Sequence, residues 1–556
     1  LETKRLVIAF ALSAAILIGW AFVQEKYFPA PKPAPRPALP TAAATTATTA
    51  TTATAAAPAP PVPAPALKVE PLRAASEGEV RVDKSFYTAR LSNRGGDLVS
   101  LVLTKFTDGA GKPLDLVPHG ALYPGRTLTL DPADPFLSRA AAALWVSERE
   151  EKGDRTTVRF RYREADGSGL VRTYTFGAEY VAKLRVEREG PPGLAVGVVL
   201  TPGIGNPTPD ELTHYTKPGG TIVLTASGSE TRRAKDDLKE AVVAGKGLSV
   251  AGIEDNYFLA AFLPEGAASA TLRPVALELP PAADGKKTSE AASEVVLSAP
   301  GALDTDLFFG PKELELLERT RPGMGRIIDY GWFAILVKPL LWTLKAIHRI
   351  VHNWGVAILI ITVLIKLVLY PATHKQLVSM KKMGRLQPKM ETIRTKWAGK
   401  MKQDPQARVK MNEETMALYK QEGVNPAGGC LPLVLQMPIL IAFYNLLAHS
   451  IELRHAPFTL WITDLSAKDP YYVTPILMTI TMWIQQQMTP PTGDATMRRV
   501  MNIMPFAMGF FFKDVASGLV LYWLMQNVLT IVQQMLLNKY TDLGPASMQK
   551  AAPKAG

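Results

Sequence analysis

The pattern of apolar and polar positions changes three times along the chain. An eighteen-residue apolar run, Leu6 to Val23, follows Lys4 and Arg5. At ~1.5 Å rise per residue such a run nearly spans a bilayer core. An uncleaved anchor is the preferred reading over a signal peptide, because Gly19-Trp20-Ala21 fits a small-residue cleavage site only loosely. Residues 29–66 hold 15 Ala, 11 Pro and 8 Thr among 38 positions. That tract has too little large apolar surface for a core and reads as a tether.

From 67 to 325 the period becomes two. Alternating runs at 81–91, 98–106, 156–162, 171–176, 180–186, 194–200, 221–226 and 270–279 are separated by Gly, Pro, Asn and Asp. The pattern predicts an all-β antiparallel sandwich with one large core. Beyond it the texture is that of a membrane protein. Aromatic and basic residues at helical spacing (Trp332, Phe333, Lys338, Trp342, Lys345, His348) predict an interfacial helix over 326–350. Apolar spans follow at 353–371, 429–448, 472–489 and 516–537, with a shorter one at 500–512.

Charge sets the orientation. The chain carries 62 Lys/Arg and 50 Asp/Glu, a net +12. Residues 372–425 alone hold 12 Lys/Arg against 5 Asp/Glu, more than half of that surplus. Positive-inside logic then puts 372–425, 490–499 and both termini in the cytoplasm, and the β domain outside. The basic loop predicts two helices, 374–397 and 406–422, turning at 402–405. Met380, Met383, Met390 and Trp397 lie on a stripe of 3–4 spacing. Such a stripe either receives apolar partners or packs the two helices together.

The chemistry is sparse. A single cysteine, Cys430, excludes an intrachain disulfide, and seven histidines without a His-Glu-x-x-His motif argue against a zinc enzyme. No nucleophile elbow, phosphate loop or dinucleotide fingerprint is present. No cofactor is expected. Lys366 is the informative residue, since a cation inside an apolar span costs about 2.5–3.5 kcal/mol on insertion scales. It either serves a hydrated groove or snorkels toward the interface. Thr362 lies one turn before it, and Gln436, Gln485 to Gln487, Gln526 and Asn527 add polar groups to other spans. Any one glutamine is explained by helix–helix bonding. Pro432, Pro438 and Pro505 can kink their helices.

Several ordered segments resemble the YidC-type membrane protein insertases, relatives of the Oxa and Albino insertases. They include Asp329-Tyr-Gly-Trp332, Asn353-Trp-Gly355, Leu386-Gln-Pro-Lys389 and Met416-Ala-Leu-Tyr-Lys420. Val424-Asn-Pro-Ala-Gly-Gly-Cys-Leu-Pro-Leu-Val-Leu-Gln-Met-Pro438, Phe458-Thr-Leu-Trp-Ile-Thr-Asp-Leu-Ser466 and Ser517-Gly-Leu-Val-Leu-Tyr522 continue the series. In the first half, Asn93-Arg-Gly-Gly-Asp97, Asp255-Asn-Tyr-Phe258 and Gly310-Pro-Lys312 match the Gram-negative form.

The resemblance implies a multidomain membrane protein. An N-terminal transmembrane anchor (1–28) and linker (29–66) precede a supersandwich-like periplasmic domain (67–325). The interfacial helix (326–350), a transmembrane helix (351–371), a cytoplasmic helical hairpin (372–425), further transmembrane helices (426–540) and a cytoplasmic tail (541–556) follow. Five core helices would form a hydrophilic groove without covalent catalysis or nucleotide hydrolysis. Its implied contacts are Lys366, Thr362, Gln436, Met437, Pro438, Tyr522, Trp523 and Gln526, with Met380, Met383, Met390 and Trp397 recognising partners on the hairpin. The family usually has Arg where this chain has Lys366, and Tyr where it has Trp523. Implied partners are nascent membrane proteins, the Sec translocon, a transient ribosome contact and the phospholipid bilayer, with no DNA. The implied location is the bacterial inner membrane. Two rival readings are a secondary transporter, for which no internal repeat is found, and a sugar-binding β domain, for which no catalytic pair is evident.

Overall fold

The computed structural model describes residues 70–540, except 109–110, 120–122, 178, 191–193, 205–219, 235–236, 245–246, 267, 279–288, 401–405, 424–430 and 489–494. The predicted anchor, linker, tail and Cys430, and the hairpin turn at 402–405, lie outside the described residues.

Three antiparallel sheets build the first part. A nine-stranded sheet runs, in spatial order, through Glu230–Ala234, Gly220–Thr225, Leu248–Glu254, Phe258–Pro264, Ala302–Pro311, Val181–Glu189, Gly169–Phe176, Arg155–Arg163 and Val146–Lys152. A five-stranded sheet (Val242–Ala244, Ser269–Glu278, Ser289–Pro300, Ala195–Leu200, Thr129–Leu130) lies against it, with Ser289–Pro300 touching Gly220–Thr225, Leu248–Glu254 and Ala302–Pro311. A four-stranded sheet (Glu79–Asp83, Tyr87–Ser92, Leu98–Thr107, Pro113–Asp115) and helix α1 (Pro135–Ala142) complete it. The period-two pattern does the work. In Arg155–Arg163, Thr156, Val158, Phe160 and Tyr162 are buried and the intervening residues are more exposed. The run 81–91, predicted as one strand, is a hairpin, in which the Lys84 N–H donates to the Tyr87 carbonyl at 2.9 Å.

The helical part begins with α2 (Leu314–Thr320) and a 3-10 turn, Met324–Ile327. Helix α3 (Ala334–Val351) starts eight residues later than the predicted interfacial helix. The delay has a local cause: Asp329 accepts from the Gly331 N–H at 3.0 Å, and Gly331 has φ +63. Helix α3 buries Val337, Leu341 and Leu344 and leaves Trp342 and Ile350 largely exposed. Helix α4 (Trp354–Arg385) is capped by Asn353, whose side chain accepts from the Val356 N–H.

The helix predicted over 374–397 does not start afresh after the span predicted to end at Pro371. Helix α4 continues through Pro371 to Arg385. Proline removes one backbone bond there, and Thr373 Oγ1 donates to the carbonyls of Leu369 and Tyr370 nearby. The break falls instead at Leu386, ahead of Pro388 and helix α5 (Gln387–Ala398). Helices α6 (Gln406–Gln421), α7 (Leu431–His449), α8 (Val473–Met488), α9 (Ala495–Phe512) and α10 (Ser517–Tyr540) follow. The short predicted run at 500–512 is the C-terminal part of an 18-residue helix. Among the described residues, α4 and α10 are long and apolar enough to cross a membrane.

Arg454 and Lys345 are among the residues that join the β-rich and helical parts. Arg454 donates to the Thr107 carbonyl at 2.9 Å and stands over the rings of Tyr257 and Phe258, 5.7 and 5.4 Å from their centres. Lys345 of α3 pairs with Glu452 at 2.7 Å and lies near Glu313, between the last strand and α2, and Glu315 of α2.

At the start of α4, Asn353 also donates to the Phe458 carbonyl at 2.7 Å, and a Cβ on Gly355 would collide with the Phe458 ring. Gly355→Leu therefore destabilises the helical part by ~1–3 kcal/mol through overpacking. Gly399→Ala, where nothing lies within 4 Å, does not. Thermal melting of the two purified full-length variants checks this. Equal melting temperatures would contradict the close approach at Gly355.

Candidate functional site

Helix α10 carries polar side chains four residues apart: Tyr522, Gln526 and Thr530, with Gln533 one turn on. At 3.6 residues per turn they share one face of an otherwise apolar helix. Opposite them, α4 presents Lys366 and Thr373. The Lys366 ammonium donates to Thr530 Oγ1 at 2.8 Å, and Thr530 in turn donates to the Gln526 carbonyl at 2.7 Å. Gln533 Nε2 donates to Thr373 Oγ1 at 3.2 Å. Both rungs advance in the same chain direction, so α4 and α10 run parallel here.

The third helix enters through Gln436 of α7, which donates to the Tyr522 hydroxyl. Gln526 Nε2 reaches the same oxygen at 3.4 Å. Phe443 of α7 stacks on the Tyr522 ring at 4.3 Å. On the other flank of α10, Asn527 donates to Thr481 of α8 at 3.2 Å.

Four expected site residues thus form one polar path: Lys366, Gln526, Tyr522 and Gln436. The path is extended by Thr530, which the sequence reading missed. The four-residue spacing from Tyr522 to Thr530 was the available signal. Lys366 is half-buried, and among the described residues it makes no ion pair, so its charge is held by a hydroxyl.

Other expected residues stand differently. Thr362 is fully buried and its hydroxyl donates to Ile358 of its own helix at 2.6 Å. Tyr522 is fully buried, facing Gln436 and Phe443, whereas its neighbour Trp523 turns toward Phe512 with ring centres 5.3 Å apart. The implied aromatic pair therefore diverges: Trp523 is partly exposed and Tyr522 is not. Met437 is 40% exposed and Pro438 half-buried beside Gln436.

Part of the methionine stripe packs the end of α4 and the start of α5 against α6. Met383, Leu386 and Tyr419 form a small buried cluster with Met390 packed on it. Trp397 donates to Glu414 at 2.6 Å, and Lys396 and Lys389 pair with Glu414 and Glu422. Met380 is half-buried, and Met416 is the more exposed.

Residues 346–544 match the family model described as 60Kd inner membrane protein, and residues 79–343 match the YidC periplasmic domain. A Geobacter metallireducens protein named membrane protein insertase YidC is 39% identical over 96% of this chain and 98% of its own length. A Citrifermentans bemidjiense protein of the same name is 40% identical over 96% and 99%. A crystal structure of an active YidC insertase with its first transmembrane domain resolved is similar with a TM-score of 0.36 and 20% identity, covering 84% of this chain and 94% of that one. Full-length similarity at this identity places the chain in the family, and it belongs to the YidC membrane protein insertases.

Proposed function

We propose that this protein inserts and folds nascent inner-membrane proteins through a groove lined by α4, α7 and α10, alone or with the Sec translocon. The observation that carries the reading is the polar path from Lys366 through Thr530 and Gln526 to Tyr522 and Gln436, on helices otherwise built for lipid. Five core spans, α4 and α7 to α10, follow an N-terminal anchor. The α5–α6 hairpin and both termini face the cytoplasm, where the ribosome makes a transient contact, and the β domain is periplasmic.

The physics needs no nucleotide. A hydrophilic segment crossing hydrocarbon leaves each unsatisfied backbone group several kcal/mol uphill. A half-channel of hydroxyl and amide groups shortens that apolar path. Lys366 then meets an acidic or polar segment of the substrate, and Met437 and Trp523 offer it exposed apolar surface. Burial of the substrate's ~20-residue helix in lipid supplies the driving force. A positive point charge suffices for this step, so the lysine's lack of a guanidinium fork leaves it intact.

The test is genetic rescue. In cells depleted of their own insertase, this chain restores growth and the insertion of a small single-span, phage-coat-like substrate. That substrate crosslinks to photoreactive residues placed at Met437 and Trp523. Absence of rescue by a correctly localised, expressed protein would overturn the reading.

A further inference from the structure

Where the nine-stranded sheet approaches the end of α7, the fold forms a cavity of about 460 Å3. Its floor is an ion network. Lys312 and Glu254, both buried, pair at 3.0 Å, and Arg232 contacts Glu254 and reaches Asp329 at 3.2 Å. Two further lining residues, Arg233 and Asp237, are exposed and of opposite sign. The helical wall is His449, the last residue of α7. One turn earlier Asn445 donates to the Tyr330 carbonyl at 3.0 Å, which ties this wall to the segment carrying Asp329.

We infer that this cavity takes the headgroup of a phospholipid that joins a phosphodiester to a primary ammonium, of the phosphatidylethanolamine type. The inference rests on the reading of α7 as a membrane span, which sets the cavity at the outer edge of the bilayer. The volume falls within the ~300–1,000 Å3 of small-molecule sites. The lining carries five carboxylates (Glu230, Asp237, Glu254, Asp255, Asp329) against three cations (Arg232, Arg233, Lys312). That excess disfavours a purely anionic headgroup and suits one that brings its own cation.

The described lining contains no Phe, Tyr or Trp, so a quaternary ammonium finds no aromatic face. A primary ammonium, with three N–H donors, suits carboxylates instead. Arg233 receives the phosphodiester through a charge-assisted bond and Asp237 receives the ammonium. Acyl chains have a path, because Trp332 and Ile335, just beyond Asp329, are 72% and 80% exposed.

The test places the full-length protein in nanodiscs of phosphatidylethanolamine, phosphatidylglycerol and phosphatidylcholine in equal amounts, with identical acyl chains. Native mass spectrometry counts the lipids retained on the released protein. The expected result is about fivefold enrichment of phosphatidylethanolamine, the scale of one exposed ion pair. Asp237→Asn removes the preference over phosphatidylglycerol while total retention holds, and Arg233→Ala lowers retention of both. Both side chains are exposed, so these variants fold. Equal retention of the lipids, or an unchanged preference in Asp237→Asn, overturns the assignment. In a second arm, soluble glycerophosphoethanolamine is offered to the detergent-purified protein. Displacement of the retained lipid at equal concentration would make the ligand a free solute and overturn the lipid source. Failure of the protein to enter nanodiscs would instead overturn the membrane-span reading beneath the inference.

Discussion

Lys366→Ala lowers insertion of a phage-coat-like substrate by about 10- to 100-fold, whereas Lys366→Arg retains it. The magnitude follows from losing one hydrogen bond to a charged group, worth ~1.5–3 kcal/mol at about 1.4 kcal/mol per tenfold. The geometry explains why the charge matters more than its shape. The ammonium has three donors, and Thr530 takes one at 2.8 Å. Among the described residues the other two donors meet no hydrogen-bond partner, and they suit a carboxylate or a polar backbone group of the incoming segment. Thr530→Val removes the acceptor and leaves the charge, so its defect is milder than that of Lys366→Ala. Pulse-labelling with protease accessibility of the substrate's translocated tail measures all three. Full activity of Lys366→Ala would reduce the residue to a snorkelling lysine.

Much of this site was legible before the fold was known, and the reasons are physical. A lysine in an apolar run is costly enough to stand out alone, and glutamines in the same spans stand out as a group. What the sequence could not give was pairing. Which glutamine meets which helix depends on packing, so Gln436 facing Tyr522 and Thr530 facing Lys366 emerge only in three dimensions. Thr530 also hides because threonine is common in apolar helices.

The β domain shows the complementary failure. Alternating strands such as Arg155–Arg163 were visible, but Val146–Lys152 was not. Its sequence, Val-Ser-Glu-Arg-Glu-Glu-Lys, reads as a solvated loop. It is an edge strand, where charge is favoured because it blocks further pairing. Phe258–Pro264 hid for the opposite reason: every residue is buried, so it has no alternation to detect. The helix break was misplaced because the change from apolar to basic residues after Pro371 read as a boundary between two helices, whereas one helix carries both textures and tolerates the proline.

Arg172→Ala should unfold the β domain at a much lower temperature, with a stability loss of ~3–5 kcal/mol at neutral pH, as expected when one partner of a buried ion pair is removed. Arg172 is fully buried. It donates to the Gly95 carbonyl at 3.0 Å and to the Leu128 carbonyl, and lies 3.4 Å from Asp97. Beside it Tyr174 donates to the Gly96 carbonyl at 2.9 Å. The motif Asn93-Arg-Gly-Gly-Asp97 is therefore the loop by which the four-stranded sheet is fastened to the nine-stranded one. Gly95 and Gly96 there have φ +67 and +71, and a Cβ on Gly96 would stand 3.1 Å from Arg172.

The pH dependence gives the sharper test. Burial pushes the Asp97 carboxyl up to about 6, against the opposing pull of Arg172 and Arg126. The folded state thus holds this proton more tightly than the unfolded chain. Stability from this group is full below about 4, the ordinary aspartate value, and is lost as pH rises through about 6. Without Arg172 the carboxyl rises further, so Arg172→Ala is less damaging at pH 5, where Asp97 is neutral, than at pH 8, where it is forced to ionise. Adding Asp97→Asn to Arg172→Ala removes that difference. Thermal melts of the full-length variants at the two pH values measure it. A loss that is the same at pH 5 and pH 8 would mean that Arg172 acts through its carbonyl contacts alone, with no part played by the carboxylate.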